Sequence, residues 1–234
     1  MMPEKYWSDF FGITIELIRE SSLKVVPHKE LVGYNGAYIF KLGQSVVISV
    51  PAEIEDAVVA RAKADDCGEV LTQAFVERLF ENVERTIGPC YQGYCSKESV
   101  IPIDSADVRM LNDADQRALK NLQRQVDEEE WEHSSLAPDK VSFGYFQQGD
   151  IIAAACLDMW AENVANIGLI TLQSQQGKGC AKKLCALATR FGLDHGYEMV
   201  YQTLLSNAPA VAVARSTGYI EYANHLAVRF KTAI

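Results

Sequence analysis

The segment TLQSQQGKGCAKKLCALATRFG, from Thr171 to Gly192, most constrains how this chain can fold. A strand-like run stops at two glutamines, and Gly177 and Gly179 then flank a lysine directly before an amphipathic helical pattern. Glycine lets a ligand approach the backbone without a Cβ in the way. A helix start presents unpaired N–H groups and a partial positive charge. The segment therefore predicts a phosphate-binding loop between a strand and a helix.

Two common phosphate-binding loops do not match this segment. The Walker loop requires a GxxxxGK pattern followed by Ser or Thr, and that spacing is absent. The dinucleotide-binding fingerprint requires GxGxxG, but Lys182 occupies the third glycine position. No series of alternating strands and helices precedes the loop, so a parallel dinucleotide-binding sheet is not predicted either.

A third loop does match. The stretch Gln176–Ala181 resembles the Q/R-x-x-G-x-G/A loop of the GNAT superfamily of N-acetyltransferases, which holds the acetyl-CoA pyrophosphate. The predicted order of strand, loop, helix and strand continues with Asn207 opening a short helix that ends in Ser216–Tyr219. That order is similar to the C-terminal half of the family. The resemblance covers residues 104–234 and implies an α+β fold with a mixed, mostly antiparallel sheet flanked by helices.

The resemblance also implies acetyl-CoA as co-substrate and assigns residues to it. The strand before the loop would give backbone N–H groups to the pantetheine arm and the thioester carbonyl. The loop and the helix start would hold the diphosphate, with lysines adding positive charge. The implied cofactor-binding residues are Leu169, Ile170, Thr171, Gln176, Gly177, Lys178, Gly179, Cys180, Ala181, Lys182 and Asn207.

The family transfers the acetyl group directly to an amine, which requires a base for the amine and an acid for the leaving thiolate. Many relatives carry a carboxylate on the strand before the loop, but the stretch Asn166–Thr171 has none. Glu130 is therefore proposed as the base, in the helical segment that often borders the acceptor site. The alternative candidates for the base are Glu132, His133, Asp158, Glu162 and a water chain to bulk solvent. An acidic run such as Asp127–Glu130 is also typical of a solvated helix face.

The position of the expected general acid, which protonates the leaving thiolate, also departs from the family pattern. Relatives often have a tyrosine four residues before the glycine of a Gly-aromatic pair, and Ala214 stands at that position here. Tyr219, the aromatic residue of the pair, is the proposed acid. An aromatic residue after that glycine is also typical of core packing.

Charge and cysteine usage narrow the function classes. The 22 basic and 31 acidic residues give a net charge of -9, which repels nucleic acid and anionic membranes. No stretch approaches the roughly 18 apolar residues of a membrane helix, and no signal peptide is evident, so a cytoplasmic protein is expected. Six cysteines form no CxxC motif and have no histidine at ligand spacing, which predicts neither a metal site nor a structural disulfide.

Residues 1–103 are expected to form a smaller α/β N-terminal domain with a structural or substrate-covering role. The stretch GAYIFKLGQSVVISV predicts a hairpin with its turn at Gly43, and PAEIEDAVVARAKA a helix that follows Pro51. A second helix is predicted over GEVLTQAFVERLFENVERTIG, and the turn-rich GPCYQGYCSKESVIP predicts the domain boundary. Whether this domain is a degenerate copy of the GNAT fold is left open.

Residues 104–234 are expected to form the acetyltransferase domain. They predict a hairpin turning at Gly149-Asp150, and Asn112 or Asp113 as a helix N-cap. The predicted function is transfer of an acetyl group from acetyl-CoA to a primary amine of a small molecule, without a nucleic-acid or membrane partner. The alternatives are acetylation of a protein N-terminus or lysine, and a CoA-binding regulatory module without turnover. A homodimer is left open.

Overall fold

The computed structural model describes residues 4–20, 22–62, 69–104 and 106–231. Its contacts divide the chain into two compact units. The C-terminal unit comprises Gly93–Gln202 and Ala208–Ile220. The N-terminal unit comprises the described residues up to Gln92, the segment Thr203–Asn207 and the described residues from Glu221 onward.

The described residues of the first half form four α-helices and four strands. The helices are α1 (Glu4–Phe11), α2 (Ile15–Arg19), α3 (Glu55–Arg61) and α4 (Gln73–Leu79). The strands are β1 (Leu23–Pro27), β2 (Gly36–Leu42), β3 (Ser45–Val50) and β4 (Val83–Cys95).

Four further α-helices and six strands lie in the described residues of the second half. The helices are α5 (Gln116–Gln123), α6 (Glu128–His133), α7 (Cys180–Asp194) and α8 (Ala208–Ser216). The strands are β5 (Val108–Met110), β6 (Ser142–Gln147), β7 (Asp150–Ala161), β8 (Val164–Thr171), β9 (Glu198–Leu204) and β10 (Ile220–Phe230).

The N-terminal unit is an α/β structure with a covered sheet. Its strands lie in the order β1-β3-β2-β10. β2 and β3 form the predicted antiparallel hairpin, and Gly43 in its turn has a φ of 60°. Apolar residues of α1 and α2 form one cluster on one face of this sheet. Those of α3 and α4 form a second cluster on the other face, and this cluster includes residues of β10. The unit therefore has a hydrophobic core of its own on each side.

The C-terminal unit has the predicted mixed, mostly antiparallel sheet flanked by helices. Its strands lie in the order β9-β8-β7-β6-β5, and only the β8–β9 pair is parallel. Leu122 of α5 packs with residues of β7 and β8 in one buried cluster. Phe191 of α7 packs edge-on against Phe143 of β6, with ring centroids 5.4 Å apart. The α+β fold class predicted from the sequence is confirmed.

Two local predictions in the first half are wrong. The second helix ends at Leu79, not near Gly88, because Val83–Gly88 begin the long strand β4. The turn-rich stretch after Gly88 also belongs to β4, whose last six residues are buried. Burial of both faces favours the extended strand there over the turns that its glycines suggest. The first predicted helix is observed as a short 3-10 turn followed by α3, and its last residues lie outside the described ones.

The boundary between the units also differs from the predicted division at residues 103 and 104. By contacts the change occurs at Gln92 and Gly93, inside β4. The last strand, β10, belongs mainly to the N-terminal unit, because Asn224–Arg229 pair with Lys41–Gly36 of β2. The end of the chain therefore completes the sheet of the first unit.

Within the described ranges, no helix is both long and apolar enough to cross a membrane. In the same ranges, no group of three His, Cys, Asp or Glu side chains is placed to hold a metal ion. The five cysteines of the described residues, Cys90, Cys95, Cys156, Cys180 and Cys185, are free and buried. Burial raises the pKa of Cys185 to about 12, so this thiol stays protonated.

Candidate functional site

β8 carries an edge that is only partly paired. Its ladder with β7 runs the full length of the strand, from Thr171↔Ala153 to Val164↔Ala161. Its parallel ladder with β9 covers three residues and ends at Asn166↔Val200. In the part of the chain that the structure describes, residues 167–171 pair with no strand on this side. The N–H and C=O groups of this stretch that face this edge are therefore available to an extended ligand lying along β8, while the others pair with β7.

The three strand residues assigned to acetyl-CoA lie along this edge. Ile170 is buried in the cluster beneath α5, whereas Leu169 and Thr171 are half-buried. Because side chains alternate along a strand, Leu169 and Thr171 point to the face opposite Ile170. The role assigned to these residues rests on their main chain, whose N–H groups also alternate between the two edges of the strand. The N–H of Leu172 donates to the Ile152 carbonyl oxygen of β7, so the N–H of Ile170 also faces β7, and those of Leu169 and Thr171 face the open edge.

The glycine loop follows β8 after a 3-10 turn over Gln173–Gln175. Gly177 and Gly179 both adopt left-handed backbone conformations, with φ of 74° and 82°. A Cβ at either position would meet no atom within 4 Å. Glycine is thus required here by the backbone conformation, and the space in front of the loop is open.

The helix start behind the loop is arranged for an anion. Gly179 is the N-cap of the 15-residue α7, and no side chain caps the helix. The N–H of Lys183 donates to the Gly179 carbonyl oxygen at 3.2 Å, so the N–H groups of residues 180–182 precede the intrahelical ladder. The first turn of α7 has no acidic residue. A diphosphate would find unpaired N–H donors and the positive end of a helix dipole.

Cysteine and lysine side chains complete this loop. Cys180 is buried, and its Sγ lies 3.9 Å from the Gln175 carbonyl oxygen. Lys178 is exposed and donates from Nζ to Gln175 Oε1 at 3.0 Å. Ala181 and Lys182 are half-buried on the first turn of α7. The residues present therefore fit the diphosphate of CoA: small where the backbone is approached and basic at the rim.

Helix α6 ends directly against β8. A Cβ on Gly168 would overlap the Ser134 carbonyl oxygen and would lie 2.9 Å from Cys156 Sγ. The Cys156 Sγ is also 3.5 Å from the same Ser134 oxygen. Glycine at 168 therefore allows the end of α6 to contact the middle of the strand. The proposed base, Glu130, is exposed on this helix, as are Glu132 and His133.

The other carboxylates left open by the sequence lie at the far end of β7. Asp158 forms an ion pair with Lys140 at 2.5 Å, and both side chains are about one-quarter exposed. Burial lowers the pKa of Lys140, but the hydrogen bond to Asp158 and the nearby negative charges, that of Asp158 first, together raise it above its usual value. Asp158 is therefore held in an ion pair, while Glu162 is exposed.

Tyr219, the proposed acid, is 2% exposed and lies in a buried polar network. Its hydroxyl is 2.8 Å from Thr189 Oγ1 on α7, and its ring packs edge-on against Tyr201 at 5.5 Å. Thr217 Oγ1 in turn lies 3.4 Å from Cys185 Sγ. Burial raises the pKa of the Tyr219 phenol well above its usual value, so the hydroxyl keeps its proton.

Asn207, the last residue assigned to acetyl-CoA, directly precedes α8 in the sequence. Its side chain is exposed, and its N–H donates to the Leu204 carbonyl oxygen at 3.0 Å. By contacts it belongs to the N-terminal unit, unlike the loop residues.

Two residues of the β8 region had no role in the sequence interpretation. Gly168 allows α6 to reach the strand, and Asn166 lies where the β8–β9 ladder ends. The signal was available for both, because glycine and asparagine are depleted in strand interiors and mark close approaches or irregularities.

Comparisons with known proteins agree with this geometry. The family model "Acetyltransferase (GNAT) family" matches residues 108–219. No curated protein matches the sequence.

Three solved structures show the same fold at low sequence identity. A GNAT-family acetyltransferase from Colwellia psychrerythraea is 18% identical, with a TM-score of 0.53 over 75% of this chain and 70% of that one. A protein assigned to the same family from Novosphingobium aromaticivorans is 21% identical, with a TM-score of 0.50 over 64% and 67%. A GCN5-related N-acetyltransferase from Kribbella flavida is 17% identical, with a TM-score of 0.50 over 69% and 65%.

The matched region contains the partly paired strand, the glycine loop and the uncapped helix start. The C-terminal part of this chain belongs to the GNAT family of acetyltransferases.

Proposed function

We propose that this protein is an acetyl-CoA-dependent N-acetyltransferase that acts on a primary amine of a small molecule. The observation that carries the proposal is the open glycine loop at the uncapped start of α7, next to the unpaired edge of β8. Bound acetyl-CoA would supply an acetyl thioester that an amine can attack. The loop would hold the diphosphate, with the residues named above from Gln176 to Lys182.

The strand would orient and polarise the reacting group. Every second N–H group of residues 167–171 faces the unpaired edge and can donate to the pantetheine amides and to the thioester carbonyl oxygen. Such donors are already fixed in direction by the β7 ladder on the other edge, so they cost no reorganisation when negative charge develops on that oxygen.

Proton transfer is assigned to two residues as part of this proposal. Glu130 would accept a proton from the amine, and its exposure on α6 leaves it accessible. Tyr219 would protonate the leaving thiolate, but burial raises the pKa of its phenol, which makes it a weaker acid than a solvated tyrosine. Its burial and its bond to Thr189 support a packing role equally well. The substitutions Glu130→Gln and Tyr219→Phe test the catalytic roles. Loss of a general base or acid should lower kcat about 10²–10⁴-fold, whereas loss of a packing role alone should not.

The negative charge of the protein favours a cationic acceptor. Most amines are protonated in solution, and the net charge of -9 attracts them. Exposed carboxylates of α6, at Glu128, Glu129, Glu130 and Glu132, stand on the helix that contacts β8. A small diamine fits this arrangement better than an acidic acceptor.

The experiment is release of free thiol from acetyl-CoA across a panel of acceptors. Diamines, amino acids and peptides with a free N-terminus or lysine are compared with a reaction that lacks an acceptor. Turnover with a small amine well above the peptides supports the proposal. Turnover with peptides alone would assign a protein acetyltransferase, and CoA binding without turnover on any acceptor would assign a regulatory module.

A further inference from the structure

The end of the β8–β9 ladder coincides with one side chain. The last paired residues are Asn166 and Val200. The side-chain Oδ1 of Asn166 accepts a hydrogen bond from the backbone N–H of Gln202 at 3.1 Å. Gln202 lies two residues beyond the last pair on β9, on the same side of that strand as Val200. A side chain of β8 therefore accepts a hydrogen bond from the next backbone N–H group that faces β8 on β9.

This bond has a structural consequence. In a continuing parallel ladder, the Gln202 N–H would donate to a main-chain carbonyl of β8. Because the Asn166 amide oxygen satisfies it instead, β9 loses no hydrogen bond when the two strands separate. The usual cost of leaving a backbone donor unpaired is avoided.

The position of this side chain matters for a bound ligand. The glycine loop lies beyond Thr171, five residues after Asn166. At about 3.3 Å per residue, the unpaired edge is on the order of 16 Å long. A ligand whose diphosphate rests in the loop and whose arm runs back along β8 would reach Asn166 with its acyl end.

We propose that Asn166 is a positioning residue that opens the gap between β8 and β9 for the acyl-pantetheine arm of acetyl-CoA. This inference rests on the proposed function. Asn166 acts through Gln202 and the strand edge, and the side chain has no role in proton transfer.

The test uses two substitutions of nearly the same shape. Asn166→Asp keeps an oxygen that accepts from Gln202, whereas Asn166→Leu removes it. In Asn166→Leu, β9 can pair further along β8, and the Kd for CoA and the KM for acetyl-CoA should rise on the order of tenfold. The kcat at saturating acetyl-CoA should change less than about threefold. Asn166→Asp should restore Kd and KM to within about threefold of the parent protein, because its carboxylate oxygen can still accept from the Gln202 N–H.

Controls separate this inference from a general loss of stability and from the proposed function. Asn224→Leu removes another strand asparagine, whose Nδ2 donates to the Cys90 carbonyl oxygen at 3.4 Å, and should leave CoA affinity unchanged. Asn166→Ala is the second variant if the leucine protein does not fold. Unchanged Kd and KM in a folded Leu or Ala variant would overturn the inference, as would equal weakening by Asp and Leu. Failure of the parent protein to bind CoA would instead overturn the proposed function.

Discussion

The Tyr219 hydroxyl group links the segment that follows α8 to helix α7. Removing that group in Tyr219→Phe leaves the buried Thr189 Oγ1 without its 2.8 Å partner. A lost buried hydrogen bond costs about 1–2 kcal/mol, so we expect the free energy of unfolding to fall by that amount. Urea denaturation measures it.

The matched control for this variant is Tyr145→Phe. Tyr145 is half-buried, and its hydroxyl bonds to Lys183 and Asp107 at the surface. We expect a change within about 0.5 kcal/mol there. Equal effects of the two substitutions would contradict a structural role for the Tyr219 hydroxyl.

His225 makes the stability of the N-terminal unit dependent on pH. The side chain is 3% exposed and stacks on Tyr38, and its Nδ1 has no hydrogen-bond partner. Burial lowers its pKa to about 4, below the ordinary 6.5. In the unfolded chain the imidazole binds a proton below pH 6.5, whereas in the folded chain it does so only below about pH 4. Its contribution to stability is therefore complete above pH 6.5 and is lost as the pH falls toward 4.

The expected loss is about 2 kcal/mol between pH 7 and pH 5, from this group alone. Urea unfolding at both pH values measures it, and His225→Phe provides the comparison because other groups titrate in the same range. The difference between the two pH values should shrink by about that amount in the variant. An equal pH dependence in both proteins would contradict the assignment.

At the scale of single elements, Gly168 determines how closely α6 approaches β8. In Gly168→Ala the new Cβ would overlap the Ser134 carbonyl oxygen, which belongs to the backbone and cannot move alone. Overpacking of this kind costs about 1–3 kcal/mol. We expect a lower melting temperature. Because α6 is displaced, we also expect the KM for the amine to rise more than the KM for acetyl-CoA. An unchanged melting temperature would show that α6 does not contact the strand there.

Elements governed by local signals could be predicted from the sequence. The loop and α7 were predicted because left-handed glycines and a helical apolar period are local properties of Gly177–Asp194. The hairpin of β2 and β3 was predicted for the same reason. β4 was not, because its glycines and proline suggest turns, and only burial within the folded unit favours an extended strand.

The candidate site could likewise be predicted from the sequence only where its signals are local. The glycine loop follows from a contiguous motif, whereas the end of the β8–β9 ladder depends on Asn166 meeting Gln202, which lies 36 residues away. Such a contact has no local signature beyond an asparagine within a strand. The acceptor side depends on how α6 packs, which only the folded unit defines.

At the scale of the whole molecule, the end of the chain belongs to the N-terminal unit. β10 pairs with β2, and its Leu226, Val228 and Phe230 lie in the core with α3 and α4. A fragment beginning at Asp104 removes these partners and exposes that apolar face. We expect it to lack a cooperative thermal transition and to associate, as measured by circular dichroism and size-exclusion chromatography. A sharp transition with the CoA affinity of the full chain would contradict this.

The central claim is that the glycine loop holds the diphosphate of CoA, and calorimetric titration of CoA tests it most directly. Gly179→Asp places a carboxylate where the diphosphate would lie, and a loss of about 3 kcal/mol corresponds to over a hundredfold weaker binding. Gly149→Asp is the matched control, because Gly149 is also left-handed, with a φ of 91° and open space at its Cβ. We predict saturable CoA binding that Gly149→Asp retains and Gly179→Asp loses. Equal CoA affinity in the two folded variants would contradict the claim.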